Sequence, residues 1–192
     1  MEISNIDERA IQDIIALHAK AFPDEVGTRM GPMYLRLLYS SIFNSKGSPK
    51  LGMFDSGSMV GYVLGFKSGY ATVPLISILA HPSILINWVR NEASFNDLKK
   101  KIMDRVKRPP SLKEQNTLKV CRLVIAVLPT YQGRGVGATL LGQFVGVCRE
   151  LEFNQLGLSV LKTNASAIRL YEKMGWIIQS QNDKLLNYLY FL

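Results

Sequence analysis

Cysteine and histidine are scarce in this 192-residue chain: Cys121, Cys148, His18 and His81 are the whole supply, with no Cys-x-x-Cys spacing. That excludes a disulfide or zinc framework, and no metal site is expected. Low-complexity tracts and internal repeats are absent, which excludes solenoids and disordered tails as organising features. No apolar run is long enough to cross a bilayer. The most apolar window, ATVPLISILAHPSILINWV, is broken by Pro74, His81, Pro82 and Asn87. The opening MEISNIDERAIQDII is acidic and lacks a basic region followed by an apolar core, so no signal peptide is expected and the chain is read as cytoplasmic.

What is present is an ordinary globular composition, 47% hydrophobic and 20% charged, at a length that buries one continuous core. One domain over 1–192 is expected. The formal charge of +8 favours an anionic ligand. Much of the excess lies in NDLKKKIMDRVKRPPSLK, Asn96 to Lys113, where Asp97 and Asp104 are interspersed and no aromatic residue interleaves. That pattern reads as a solvated face, and no nucleic-acid partner is expected.

Asp7 caps a first helix with Ile11, Ile14, Ile15 and Leu17 at helical spacing, ended by FPDEVG. Gly31 and Pro32 open a second helix, with Leu35, Leu37, Leu38 and Ile42 on its buried side. KLGMFDSGSMVGYVLGF reads as a hairpin turning at Ser56-Gly57. Prolines 74, 82, 109 and 110 bracket an inserted helical segment from about 70 to 116. LKVCRLVIAV is then a buried strand, and the next helix carries Val136, Leu140, Leu141, Phe144, Cys148 and Leu151 on one side. NQLGLSV is a strand, NASAIRLYEKMG a helix ending at Gly175, and WIIQSQ and KLLNYLYFL are two closing strands. The fold class is mixed α/β, one mixed sheet with helices on its faces.

The stretch QGRGVGA matches the dinucleotide fingerprint G-x-G-x-x-G/A at Gly133, Gly135 and Ala138. Position argues against a dinucleotide turn, because LPTYQ separates Val127 from the first glycine, whereas in that fold the glycine follows the strand directly. A Walker turn fails for lack of a Lys-Ser or Lys-Thr. The shared physics survives both exclusions: glycines let backbone approach a ligand, and a helix starting there presents unpaired N–H groups to an anion. A tight strand-to-helix connection is the plainer alternative.

IAVLPTYQGRGVGATLL closely resembles the acyl-CoA-binding motif of the GNAT N-acetyltransferase superfamily, with the Q/R-x-x-G-x-G/A core at Gln132, Gly135 and Gly137. TNASAIRLYEKMGW resembles that family's later motif, N-x-x-A-x-x-L-Y-x-x-x-G-F/W, and 26 residues separate Gly137 from Asn164. The resemblance implies a GNAT-like fold with the 70–116 segment as an insertion, and acetyl-CoA as co-substrate. It further implies that Ile125, Ala126 and Val127 line the pantetheine with backbone groups, the Val127 N–H polarising the thioester carbonyl. The N–H groups of Gln132, Gly133, Arg134, Gly135, Val136, Gly137 and Ala138 would cradle the pyrophosphate. By the same resemblance Asn164 bonds the pantetheine arm and Tyr171 meets the departing sulfur. Asn164 as a helix cap and Tyr171 as a packed aromatic are the plainer alternatives.

Relatives carry a glutamate on one of the two strands flanking the cradle, yet VCRLVIAV and GLSV have none, and Cys121 and Ser159 there are expected to pack in the core. Asp24, Glu25, His81 and Glu114 remain as candidate bases, with Asp24 and Glu25 also in the loop expected to meet the acceptor. The implied activity is acetyl transfer to the primary amine of a small molecule, an amino-sugar derivative first among guesses. A peptide amine, or a CoA-binding sensor without catalysis, remain alternatives.

Overall fold

The computed structural model describes residues 1–67, 71–90 and 119–192. In chain order the elements are β1 (Glu2–Asn5), a 3-10 turn (Glu8–Ala10), α1 (Ile11–Ala21), α2 (Val26–Arg29), α3 (Pro32–Phe43), β2 (Lys50–Asp55) and β3 (Ser58–Phe66). They continue with α4 (Leu75–Leu79), α5 (Pro82–Arg90), β4 (Val120–Val127), a second 3-10 turn (Pro129–Tyr131) and α6 (Val136–Glu150). The chain ends with β5 (Gln155–Leu161), α7 (Ala165–Lys173), β6 (Ile177–Gln181) and β7 (Leu185–Phe191). Seven strands form one sheet in the order β1-β2-β3-β4-β5-β7-β6, antiparallel except for the central β4–β5 pair.

The expected hairpin turns at Ser56 and Gly57, both with positive φ (47° and 79°), the two-residue turn whose twist matches its strands. Asp7 caps the 3-10 turn that runs into α1, its carboxylate accepting from the Arg9 N–H at 2.9 Å. Two elements went unread in the sequence. β1 is four residues long and mostly exposed, and α2 is a single turn, so neither carries a periodic apolar signal. Of the expected insertion, α4 and α5 are seen, and 91–118 lies outside the described residues. Leu151 departs from its expected place: it lies just past α6 and is 37% exposed, while the other five apolar residues named for that helix are buried.

The sheet carries a core on each face. α6 packs on one side, where Leu140 and Phe144 meet Val63, Leu123 and Leu156. Gly61 on β3 permits that approach, since a Cβ there would lie 2.9 Å from Leu140 Cδ1. α1 and α3 cover the other side, over Tyr62, Leu64 and Ala126. Within this second core the Tyr39 hydroxyl bridges His18 Nδ1 at 2.7 Å and the Tyr62 hydroxyl at 2.6 Å. Burial pushes the His18 imidazole down to about 4, and its Nε2 has no hydrogen-bond partner among the described residues, the Glu25 carboxylate standing 3.7 Å away.

A pH-dependent stability follows. Unfolded His18 takes up a proton below its ordinary value of 6.5, whereas the folded imidazole resists until about 4. The contribution is therefore whole above pH 6.5 and is lost as pH falls toward 4, amounting to about 3 kcal/mol. Urea unfolding across that range should record the loss, and His18→Gln should flatten it; an equally steep wild-type and variant profile would assign the effect elsewhere.

Candidate functional site

β4 and β5 pair only over their first residues, Val120–Arg122 against Gln155–Gly157. Beyond this rung β4 stays bonded to β3 up to Val127, and β5 stays bonded to β7 up to Leu161. The two central strands therefore part, and the wedge between them is lined by backbone. Because Leu128 N–H donates to Val60 O at 2.9 Å, antiparallel alternation sends the polar groups of Ala126 and Val124 toward β3 as well, and those of Ile125 and Val127 into the wedge. Of the three residues named on this strand, Ile125 and Val127 thus offer backbone groups to a ligand in the wedge, and Ala126 turns its own to β3 while burying its side chain under α1 and α3. Gln132 closes one gap, its Nε2 donating to Val127 O at 3.1 Å, which leaves the Val127 N–H.

The segment that follows turns over the mouth of this wedge. Gly133 and Gly135 have φ of +74° and +83°, conformations that strain any side chain, and a Cβ at either would face open space. The N–H groups from Gly133 to Ala138 donate to no protein acceptor among the described residues, whereas the Gln132 N–H, expected in the same set, is taken by Pro129 O at 3.3 Å, and α6 starts here with the positive end of its dipole. Gly137 plays a different part: its φ is ordinary, and a Cβ would press on Leu170 Cδ2 at 3.2 Å and reach Val127 Cγ2 at 3.9 Å, so the small residue lets α7 and β4 close against α6. The Val136 side chain is 2% exposed and anchors the turn in the core.

Two contacts that the sequence did not disclose brace the turn. Tyr131 donates its hydroxyl to Asp55 Oδ2 at 2.8 Å, tying the 3-10 turn to the hairpin 76 residues earlier. The Arg134 guanidinium sits 5.5 Å from the Tyr131 ring centre. No local pattern marks a partnership of such sequence separation.

α7 points its N-terminus into the same region. Asn164 caps it, Oδ1 accepting the Ala167 N–H at 3.1 Å, so the cap role is real and the amide nitrogen remains for other use. Tyr171 is 5% exposed and packs against Trp176 and Tyr188 with ring centres 5.9 and 5.7 Å away. Its hydroxyl makes no hydrogen bond among the described residues, and burial first, with Tyr188 second, pushes its pKa up to about 12.

The remaining candidates lie apart from this cluster. Asp24 is exposed, and Glu25 precedes α2 with its carboxyl beside His18, on the α1 and α3 face of the sheet. His81 sits between α4 and α5, its Nδ1 donating to Ser77 O at 2.6 Å. Glu114 lies outside the described residues. Cys121 is fully buried as expected, in contact with the α6 core. Ser159 corrects its expectation: it is exposed on the face away from α6 and donates to Asn187 Oδ1 at 2.6 Å. Among the described residues no group of three or more His, Cys, Asp or Glu could hold a metal, and no helix is long and apolar enough to cross a membrane.

Residues 108–176 match the model of the acetyltransferase (GNAT) family. Over 52 residues the chain is 48% identical to the [ribosomal protein bS18]-alanine N-acetyltransferase of Haemophilus influenzae, a match covering 27% of this chain and about a third (35%) of that relative. A ribosomal-protein-alanine N-acetyltransferase from Brucella melitensis superposes with a TM-score of 0.62 at 17% identity, covering 100% of both chains. Ard1 from Thermoplasma volcanium gives 0.64 at 16% identity, covering 100% of this chain and 97% of its own. A putative acetyltransferase from Salmonella typhimurium, solved with its cofactor acetyl-CoA, gives 0.63 at 14% identity over 100% and 93%. At these identities the likeness is one of fold.

The open N–H groups beyond Gly133 should bind inorganic pyrophosphate, and Gly135→Asp, which sets a carboxylate among them, should abolish that binding in a calorimetric titration. Equal binding by wild type and variant would remove the anion cradle.

Proposed function

We propose that this chain, whose residues 108–176 belong to the acetyltransferase (GNAT) family, transfers an acetyl group from acetyl-CoA to the primary amine of a small molecule. The observation that carries the reading is the joining of two otherwise unrelated features. A wedge of unpaired strand backbone at Ile125 and Val127 opens directly beneath a turn of free N–H groups at the start of α6. A long ligand with a diphosphate at one end and amides along an extended arm matches both parts. Gly133 to Ala138 would hold the diphosphate, Ile125 and Val127 the arm, and the Asn164 amide nitrogen a further arm carbonyl.

Bound acetyl-CoA supplies a thioester, whose carbonyl carbon the amine attacks. The chain's own contribution is electrostatic and positional. A strand N–H aimed into the wedge stabilises developing negative charge on the carbonyl oxygen. The Tyr171 hydroxyl, without a hydrogen-bond partner among the described residues, would donate to the departing sulfur. With its pKa pushed up to about 12 against about 8.5 for a thiol, full proton transfer is uphill by about 5 kcal/mol, so the role is a hydrogen bond that strengthens as thiolate charge grows.

Transfer to a peptide amine is the second reading, favoured by the local identity to the ribosomal-protein-alanine N-acetyltransferase. An α-amino group near 8 costs only about 1.4 kcal/mol to deprotonate at pH 7, which suits a wedge whose two strands, β4 and β5, carry no carboxylate. Steady-state transfer from acetyl-CoA to a panel of amino sugars, amino acids and short peptides separates the two. Binding without turnover on any amine would leave the CoA-binding sensor.

Tyr171→Phe should lower kcat about tenfold to a hundredfold while the acetyl-CoA KM stays close to wild type. With the hydroxyl pKa near 12, the wild-type rate should show no alkaline decline from this group below about pH 11. An unchanged kcat would reduce Tyr171 to packing.

A further inference from the structure

On the face opposite α6, at the point where β4 and β5 part, lies a cation that no other side chain among the described residues engages. Arg122 occupies the last rung of the parallel ladder, paired with Gly157. Its neighbours Cys121 and Leu123 point into the α6 core, so alternation sends the Arg122 side chain to the other face. There it lies over β5: a Cβ built on Gly157 would be 2.9 Å from Arg122 Nη1, 3.2 Å from Cδ and 3.4 Å from Cζ. The glycine is thus what gives the guanidinium its place. Arg122 is half-buried, and among the described residues it has no salt bridge and no side-chain hydrogen bond. A guanidinium partly removed from water with none of its five donors matched is unfavourable unless something else fills the fork.

The surface beside it is polar. Two residues past Gly157, Ser159 donates to Asn187 Oδ1 at 2.6 Å, and the Asn187 amide donates to Ser180 Oγ at 3.0 Å, forming a row across β5, β7 and β6. The first unpaired N–H of the wedge belongs to Ile125, three residues on from Arg122, about 10 Å along the strand. The Arg122 fork and the reacting end of the wedge thus flank one place, reached from the face that α6 does not cover.

We propose that Arg122, seated on Gly157, is an oxyanion subsite for the acceptor, which is then an amine carrying a carboxylate or phosphoryl group several bonds from the nitrogen. The proposal rests on the acetyltransferase reading for its meaning, and names the acceptor class within it. Guanidinium forks pair bidentately with both oxyanions, and Ser159 and Asn187 would meet hydroxyl groups beside them.

The test compares glucosamine 6-phosphate with glucosamine, and 4-aminobutyrate with butylamine, by calorimetric binding to the CoA-saturated protein and by steady-state KM. Wild type should bind at least one anionic member about tenfold or more tightly than its neutral counterpart, and whichever pair responds identifies phosphoryl or carboxylate. Arg122→Gln should erase the preference with acetyl-CoA affinity and circular dichroism unchanged, and Arg122→Lys should restore part of it. Gly157→Ala, which keeps the charge but displaces the guanidinium, should weaken the same binding should the glutamine variant fail to fold. Equal binding of both members, no binding of either anionic probe, or a preference that survives Arg122→Gln would overturn the subsite. A retained anionic preference without acetyl transfer to any amine would instead overturn the proposed reaction and leave the subsite standing.

Discussion

The parting of β4 from β5 is the constraint on which everything else rests. Two adjacent parallel strands normally satisfy each other's backbone, and unpaired groups in a protein interior are costly. Here each strand is secured on its outer side, β4 by six antiparallel register positions with β3 and β5 by seven with β7, so the sheet survives without the central ladder. The unpaired edges are then fixed in direction by strands that cannot rotate. A ligand lying between them meets donors and acceptors already at strand spacing, with little ordering left to do on binding.

The cradle depends on the same parting. α6 leaves the end of β4 through a turn whose direction is held at three places: Val136 in the core, Gln132 on Val127 O, and Tyr131 on Asp55. Positive φ at Gly133 and Gly135 lets the chain reverse while the N–H groups point outward. Gly137 then brings α7 close, and through it Asn164 and Tyr171. The three glycines are alike in sequence but divide into two that shape backbone and one that makes room for a neighbouring helix.

This division explains what was legible in the chain and what was not. The hairpin at Ser56-Gly57, the caps at Asp7 and Gly175, and the stripe of α6 are local signals, and each appears where the spacing predicts, save Leu151 just past the end of α6. The cradle was legible because its chemistry is written in contiguous residues, QGRGV. The wedge was not, since whether two strands pair or part depends on their outer partners and leaves no mark on VCRLVIAV or QLGLSVL. Arg122 and Gly157 belong to the same class: an arginine in a strand and a glycine in another become informative only when the register sets them on one rung. Ser159 was misjudged for a related reason, because one face of β5 is buried by α6 and the other is open, and alternation alone does not say which is which.

The absence of a carboxylate on the described parts of β4 and β5 has a chemical consequence once the faces are assigned. Residues on the side of these strands away from α6 are Arg122, Val124, Ala126, Gly157 and Ser159, of which Ala126 is buried under α1 and α3, a set with a cation but no base. A fixed positive charge beside the acceptor lowers the pKa of a neighbouring ammonium, because the two cations repel. Each unit of lowering saves about 1.4 kcal/mol in reaching the neutral amine. When an acceptor's own oxyanion occupies the guanidinium, that repulsion is largely cancelled, and the amine must lose its proton to water or to a group beyond the sheet. In the proposed transfer, proton removal is therefore governed by the acceptor's intrinsic basicity, while the protein would govern where the nitrogen is held and how the leaving sulfur is received.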